Sequence, residues 1–95
     1  MPEFKRVEGK DLGELKLYTL STCGWCKKTK AFLNEHGVAY SYCDVDLLSD
    51  EDMEAAVKEQ KKYNPLGSFP TMISGNRLKM VGYDLDVLKQ LVGEA

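Results

Sequence analysis

Two cysteines with two residues between them, Cys23 and Cys26 in the stretch "TCGWCKK", are the side chains of this sequence best suited to chemistry. Disulfide exchange requires a thiolate, open access to its sulfur, and a second thiol able to resolve the mixed disulfide. A Cys-x-x-Cys spacing at a helix start meets these needs together. First-turn N–H groups have no partner within the helix, and the helix dipole favours negative charge there. Both effects stabilise a thiolate at Cys23. Lys27 and Lys28 add positive potential if they lie on the same side as the sulfur. Cys26, one turn inside, is better shielded. The spacing therefore assigns attack to Cys23 and resolution to Cys26, through a reversible Cys23–Cys26 disulfide.

Other uses of the pair fit less well. Structural zinc takes about four ligands, usually as two paired clusters. Here one pair stands with a single histidine, His36, and a solitary third cysteine, Cys43. His36 lies ten residues beyond Cys26 on the same helix, about 15 Å away at the helical rise. No metal site is expected within one protomer, and His36 suits the helix C-terminus, where a partial negative charge favours it. A purely structural Cys23–Cys26 bond would close too short a loop to stabilise much. Cys43, alternating with Ser41 and Val45, reads as a small half-buried strand residue, with a regulatory or intermolecular role as the other reading.

The elements that must position these thiols are visible around them. "LKLYTLST" (residues 15–22) is short, rich in β-formers and apolar on both faces, as a buried strand is. The helix that follows puts Trp25, Thr29, Phe32 and Leu33 on one face, with Lys27, Lys28, Lys30 and Asn34 turned away, and Gly37 stops it. "VAYSYCDVD" (38–46) is a second strand. Ser49 with Asp52 three residues on starts an amphipathic helix whose inner face is Met53, Ala56, Val57 and Tyr63, and Asn64-Pro65 ends it. "PTMIS" and "RLKMV" are strands joined by a Gly75-Asn76 turn. Asp84 caps a last helix carrying Leu85, Leu88, Leu91 and Val92 inward. The first β-α-β unit favours a right-handed parallel crossover. Residues 1–14 are an arm or an extra edge strand, and 15–95 are the domain proper.

Composition bounds the partners. The chain has 95 residues, 43% hydrophobic and 29% charged, with a net charge of −2. Those values fit one small globular domain and argue against a nucleic-acid partner. The N-terminal stretch lacks the apolar core of a signal peptide, and no run approaches the ~18 apolar residues of a membrane helix. A cytoplasmic location is expected, where paired cysteines are redox-active or metal-binding rather than structural.

Together, the order of elements, "CGWC" after the first strand, "FPT" before the third and "VGYDLD" beyond it resemble the glutaredoxin branch of the thioredoxin fold, over about residues 15–93. That resemblance implies an α/β, single thioredoxin-like domain with a four-stranded mixed sheet flanked by three helices. It also implies a dithiol-disulfide oxidoreductase that reduces disulfides in proteins or small molecules. Pro70 would then follow a cis bond opposite Cys23. Phe69, Pro70 and Thr71 would receive a substrate chain as a short added strand. Gly82 and Tyr83 would form the turn before the last helix, and Asp86 would help hold glutathione there. Trp25 is either a substrate contact or simple packing on its helix.

The sequence also departs from the family pattern. Gly24-Trp25 stands where Pro-Tyr is usual, Leu20 where a basic residue binds a glutathione carboxylate, and Gly67 and Ser68 where a second anchor falls. Lys27, Lys62 or Arg77 would have to substitute. In this the chain is similar to the small redoxins that supply ribonucleotide reductase. The expectation is a monomer with no bound cofactor. It would act on disulfide-containing proteins, ribonucleotide reductase among them, and be re-reduced by glutathione, another small thiol or a reductase. The alternative within the family is an iron–sulfur carrier, in which two protomers and two glutathione thiols hold a [2Fe–2S] cluster. The missing glutathione anchors count against it.

Overall fold

The computed structural model describes residues 4–75 and 78–93. The chain runs β1 (Lys5–Val7), β2 (Leu15–Thr19), α1 (Gly24–Glu35), β3 (Tyr40–Asp44), a 3-10 turn (Val45–Leu47), α2 (Asp50–Tyr63), β4 (Thr71–Ser74), β5 (Lys79–Val81) and α3 (Leu85–Val92). The strands form one sheet in the order β1-β3-β2-β4-β5. β2 and β3 are parallel, and the other neighbours are antiparallel. This is the thioredoxin-like architecture that the resemblance implies.

Packing follows from β2 lying at the centre. Leu17 pairs with Tyr42 on one side and Met72 on the other. Leu15 and Leu17 join Leu33 of α1, Leu88 of α3, Val38, Tyr40, Met72 and Met80 in one core. Tyr18, pointing the opposite way as strand alternation requires, joins Cys43, Val45 and Ala56 of α2 in a second. The sheet is therefore covered by α1 and α3 on one face and α2 on the other. Leu17 is fully buried, so Leu17→Ala should cost about 3 kcal/mol. A thermal melt is expected to show Tm lowered by roughly 12 °C or more; an unchanged Tm would contradict a central β2.

The helix ends are set locally. Ser49 Oγ accepts the Asp52 N–H at 3.3 Å, and acidic residues fill the first turn of α2 while Lys61 and Lys62 fill its last, matching the helix dipole. Asp84 Oδ1 accepts the N–H groups of Asp86 and Val87 to open α3, and Gly93 closes it at φ +81°. His36 is the C-cap of α1, with Nδ1 2.9 Å from the Phe32 carbonyl and its ring stacked on Phe32.

Several expectations need correction. The sheet has five strands rather than four, because Lys5–Val7 pairs antiparallel with β3. Three residues, two of them charged, carry no period-2 signal. The ladder to β3 holds them, and Phe4 adds a long-range contact by packing edge-on against Tyr18 at 5.4 Å. β2 ends at Thr19, three residues early, and the strand expected over 38–46 spans Tyr40–Asp44, with Val45 and Asp46 falling in the 3-10 turn. On α2 the buried residues are Ala56 and Gln60, while Met53 and Tyr63 are exposed. On α3 Leu88 is buried and Leu85 is exposed. Cys43 is fully rather than half buried. The β4–β5 hairpin forms, with Ser74 N–H donating to Leu78 O at 2.8 Å, but Asn76 of its expected turn lies outside the described residues.

Candidate active site

Cys23 is the N-cap of α1, with extended backbone at φ −82° and ψ 119°. Its Sγ accepts the Cys26 N–H at 3.2 Å, and its carbonyl accepts the Lys27 N–H at 3.1 Å, which starts the helical ladder. An N–H aimed at the sulfur favours negative charge there. The loop leading in is tied down as well. Cys23 N–H donates to Leu20 O at 3.2 Å, and Ser21 gives both its hydroxyl and its N–H, the latter at 2.8 Å, to Asp46. Those two bonds from Ser21 hold the Asp46 carboxyl below the usual carboxylate range.

The two sulfurs occupy different surroundings. Cys23 is half-buried, whereas Cys26 is fully buried, and both are free thiols. Burial pushes the Cys26 thiol up to about 12, and its hydrogen bond with Cys23 and the Cys23 charge add to this. A backbone hydrogen bond with Leu20 and the charge of Lys30 pull the other way. At neutral pH Cys26 therefore holds its proton.

The lysines divide their work differently from the expectation. Lys27 is exposed, and Lys28 places Nζ 4.7 Å over the Trp25 ring. Lys30, expected to face away, turns inward. Its Nζ lies 3.0 Å from Asp44 Oδ1 and 4.1 Å over the Tyr42 ring, and the Thr19 hydroxyl donates to the same carboxylate oxygen. Lys30 is thus the cation that acts on Cys26, one turn further along the same helix face. That four-residue spacing was visible in the sequence, but its inward turn depends on Asp44 of β3.

Beside Trp25, which stands between the two cysteines in the chain, the structure gathers several of the expected ligand-contact residues. Trp25, Phe69, Gly82 and Tyr83 line an open cleft of about 240 Å³. Trp25 is 54% exposed, and its ring lies 5.0 Å from that of Tyr83 at an interplanar angle of 32°. The Phe69–Pro70 peptide bond is cis, as the resemblance implied. Gly82, at φ +77°, donates its N–H to Pro70 O at 2.8 Å and joins the turn before α3 to the loop before β4. Thr71 is brought to the same loop, but its side chain is buried and its hydroxyl donates inward to Ser68 O at 2.8 Å. Asp86 is exposed on the first turn of α3, outside the residues that line the cleft. Of the cations expected to stand in as glutathione anchors, Lys27 and Lys62 are exposed, and Arg77 lies outside the described residues. A larger hollow of about 450 Å³ lies against Phe4, Lys5, Arg6 and Leu48.

Two residues that sequence reasoning missed support the loop. Gln60 and Asn64, four apart at the end of α2, are fully buried and point their amides at residues 68–71. Their only sequence signal was an i, i+4 pair of amides just ahead of Pro65. Among the described residues, no three His, Cys, Asp or Glu side chains gather where a metal ion could be held.

A family model for glutaredoxin matches residues 15–78. Glutaredoxin 1 of Rickettsia conorii is 40% identical over 43 residues, which is 45% of this chain and 42% of that protein. The match thus spans less than half the length of that relative. The solved glutaredoxin from Methanosarcina mazei superimposes with a TM-score of 0.84 at 40% identity, over 95% of this chain and 87% of that one. Methanoredoxin from Methanosarcina acetivorans gives a TM-score of 0.84 at 41% identity, over 90% of each chain.

Proposed function

The chain belongs to the glutaredoxin family, and we propose that it is a dithiol-disulfide oxidoreductase with Cys23 as nucleophile and Cys26 as resolving thiol. The observation that carries this is the inequality of the two sulfurs. One is reachable and receives a backbone N–H, and the other is buried and protonated. Cys23 thiolate attacks one sulfur of a substrate disulfide, the substrate S–S bond breaks, and the departing thiolate takes up a proton. Cys26 then loses its proton and attacks Cys23 Sγ. The Cys23–Cys26 bond forms, and the second substrate sulfur leaves. The substrate gains two electrons and two protons, and the redoxin is left oxidised.

The high affinity of Cys26 for its proton is not an obstacle to the second step. Two of its causes, the hydrogen bond with Cys23 and the Cys23 charge, exist only while Cys23 is reduced. Once Cys23 is capped in a mixed disulfide both vanish, and Lys30 continues to favour the thiolate. Cys26 becomes easier to ionise at the moment its attack is required.

The cleft suggests the substrate class. Its walls are the aromatic side chains of Trp25, Phe69 and Tyr83. Leu20, Gly67 and Ser68 stand where glutathione-using relatives place anion anchors. We assign the oxidised substrates to protein disulfides in the cytoplasm, with ribonucleotide reductase as a candidate, reduced by a monomeric redoxin. The donor is glutathione, another small thiol or a reductase. A coupled assay with insulin as disulfide substrate, run in parallel with glutathione, other small thiols and candidate reductases, tests this. Turnover with at least one donor is expected. No insulin reduction under any of them, nor by a stoichiometric amount of pre-reduced protein, would refute the oxidoreductase reading.

A further inference from the structure

We infer that Gln60 and Asn64 are positioning residues that hold the Phe69 peptide in place to pair with a substrate polypeptide, so that they govern recognition of peptide disulfides but not of small ones. The inference rests on the oxidoreductase reading above. Gln60 Nε2 donates to Ser68 O at 2.9 Å and to Thr71 Oγ1 at 3.1 Å. Asn64 Nδ2 donates to Ser68 O at 3.1 Å, to Ser68 Oγ at 3.0 Å and to Thr71 Oγ1 at 2.9 Å. The Thr71 hydroxyl closes the network onto Ser68 O. Asn64 also fixes the approach to the loop, accepting the N–H of Leu66 at Oδ1 and that of Gly67 at its carbonyl.

Two residues lie between the anchored ends of this network, Phe69 and Pro70. Pro70 is buried and gives its carbonyl to Gly82. Among the described residues, Phe69 takes part in none of the backbone hydrogen bonds that fasten the loop, and it lines the cleft beside Trp25. A free peptide flanked by two clamped ones is what an incoming extended chain needs to pair with, since main-chain hydrogen bonds carry the affinity in strand addition.

Gln60 also pays a visible cost. Its Oε1 is buried with no hydrogen-bond partner among the described residues, an unfavourable state for a carbonyl. Packing alone would be served as well by an apolar side chain of similar length. The amide is oriented by the loop's acceptors rather than by its own needs.

Gln60→Met keeps length and volume, removes both donors and removes the orphaned oxygen, while Asn64 still serves Ser68 and Thr71. Single-turnover oxidation of pre-reduced protein, followed by quenching and mass spectrometry, avoids any dependence on the donor. With a disulfide-bridged peptide, the half-saturating concentration should rise about five- to tenfold, the effect of losing one or two neutral hydrogen bonds. The limiting rate should stay within about twofold. With bis(2-hydroxyethyl) disulfide, which has no peptide to pair, both should be unchanged, and Tm should move by less than about 4 °C. Asn64→Ala should show the same selectivity at larger amplitude, and Gln60→Met decides alone if it does not fold. Peptide and small-disulfide kinetics that fall together, or neither changing, would overturn the inference. Wild-type protein that reduces neither substrate would overturn the oxidoreductase reading itself, and this inference with it.

Discussion

Replacing Cys23 by serine is expected to end disulfide reduction, and replacing Cys26 by serine is expected to halt it at a mixed disulfide on Cys23. A serine hydroxyl stays protonated near neutrality and cannot take up the sulfur–sulfur bond, so Cys23→Ser is expected to lose on the order of a thousandfold or more in turnover. Cys26→Ser keeps the half-exposed nucleophile and the backbone N–H that faces it. It removes only the thiol that would release the product. Intact-mass spectrometry after mixing with a symmetric disulfide of two identical peptides should show one adduct of half the substrate's mass, mapped to Cys23. Cys43, buried against β2 and α2, should carry none. An adduct that forms as fast on Cys26 of Cys23→Ser would reverse the assignment of roles.

The reduced protein should lose stability in alkali more steeply than the oxidised protein, beginning near pH 9. In the folded reduced state the Cys26 thiol is raised from 9.0 to about 12, chiefly by burial. The unfolded chain has no such burial, so between those two values the native state keeps a proton that the unfolded state has lost. Rising pH therefore favours unfolding. The contribution is complete below pH 9 and is lost as pH passes through the folded value. At about 1.4 kcal/mol per unit it amounts to roughly 4 kcal/mol across the window, large beside the total stability of a small domain. Burial also raises Cys43, Tyr18 and Tyr40. Those groups titrate alike in both redox states and cancel in the comparison. Urea midpoints of the two forms, followed from pH 7 to 11, should run parallel up to about pH 9, after which that of the reduced form falls more steeply. Parallel curves throughout would show that Cys26 is not held buried and protonated.

How much of this could be read in advance depends on the range of the forces involved. The Cys23–Cys26 pair at a helix mouth, the caps at Ser49 and Asp84 and the central apolar strand rest on neighbours a few residues apart, and all were legible. β1 was only one of two readings of residues 1–14, since Lys5 and Arg6 carry no pattern and are held by pairing with Tyr42 and Ser41. Lys30 looked like one more solvated lysine until Asp44 arrived from β3. Gln60 and Asn64 broke the apolar face of their helix, and they make sense only once the loop at 68–71 is folded against them. The cis bond at Pro70 came from family likeness, not from any local rule. Trp25 had two readings, contact or packing, and it has the attributes of both, exposed on one side and set against Tyr83 on the other.

That placement of Trp25 has a practical consequence. The chain contains a single tryptophan, and it occupies the position next to Cys26, beside an aromatic neighbour and under a lysine ammonium. All indole emission from this protein therefore originates beside the Cys23–Cys26 pair. Sulfur oxidation, docking of a peptide or displacement of the Lys28 ammonium would each alter the brightness or colour of that light, so the molecule carries its own optical probe without any added label.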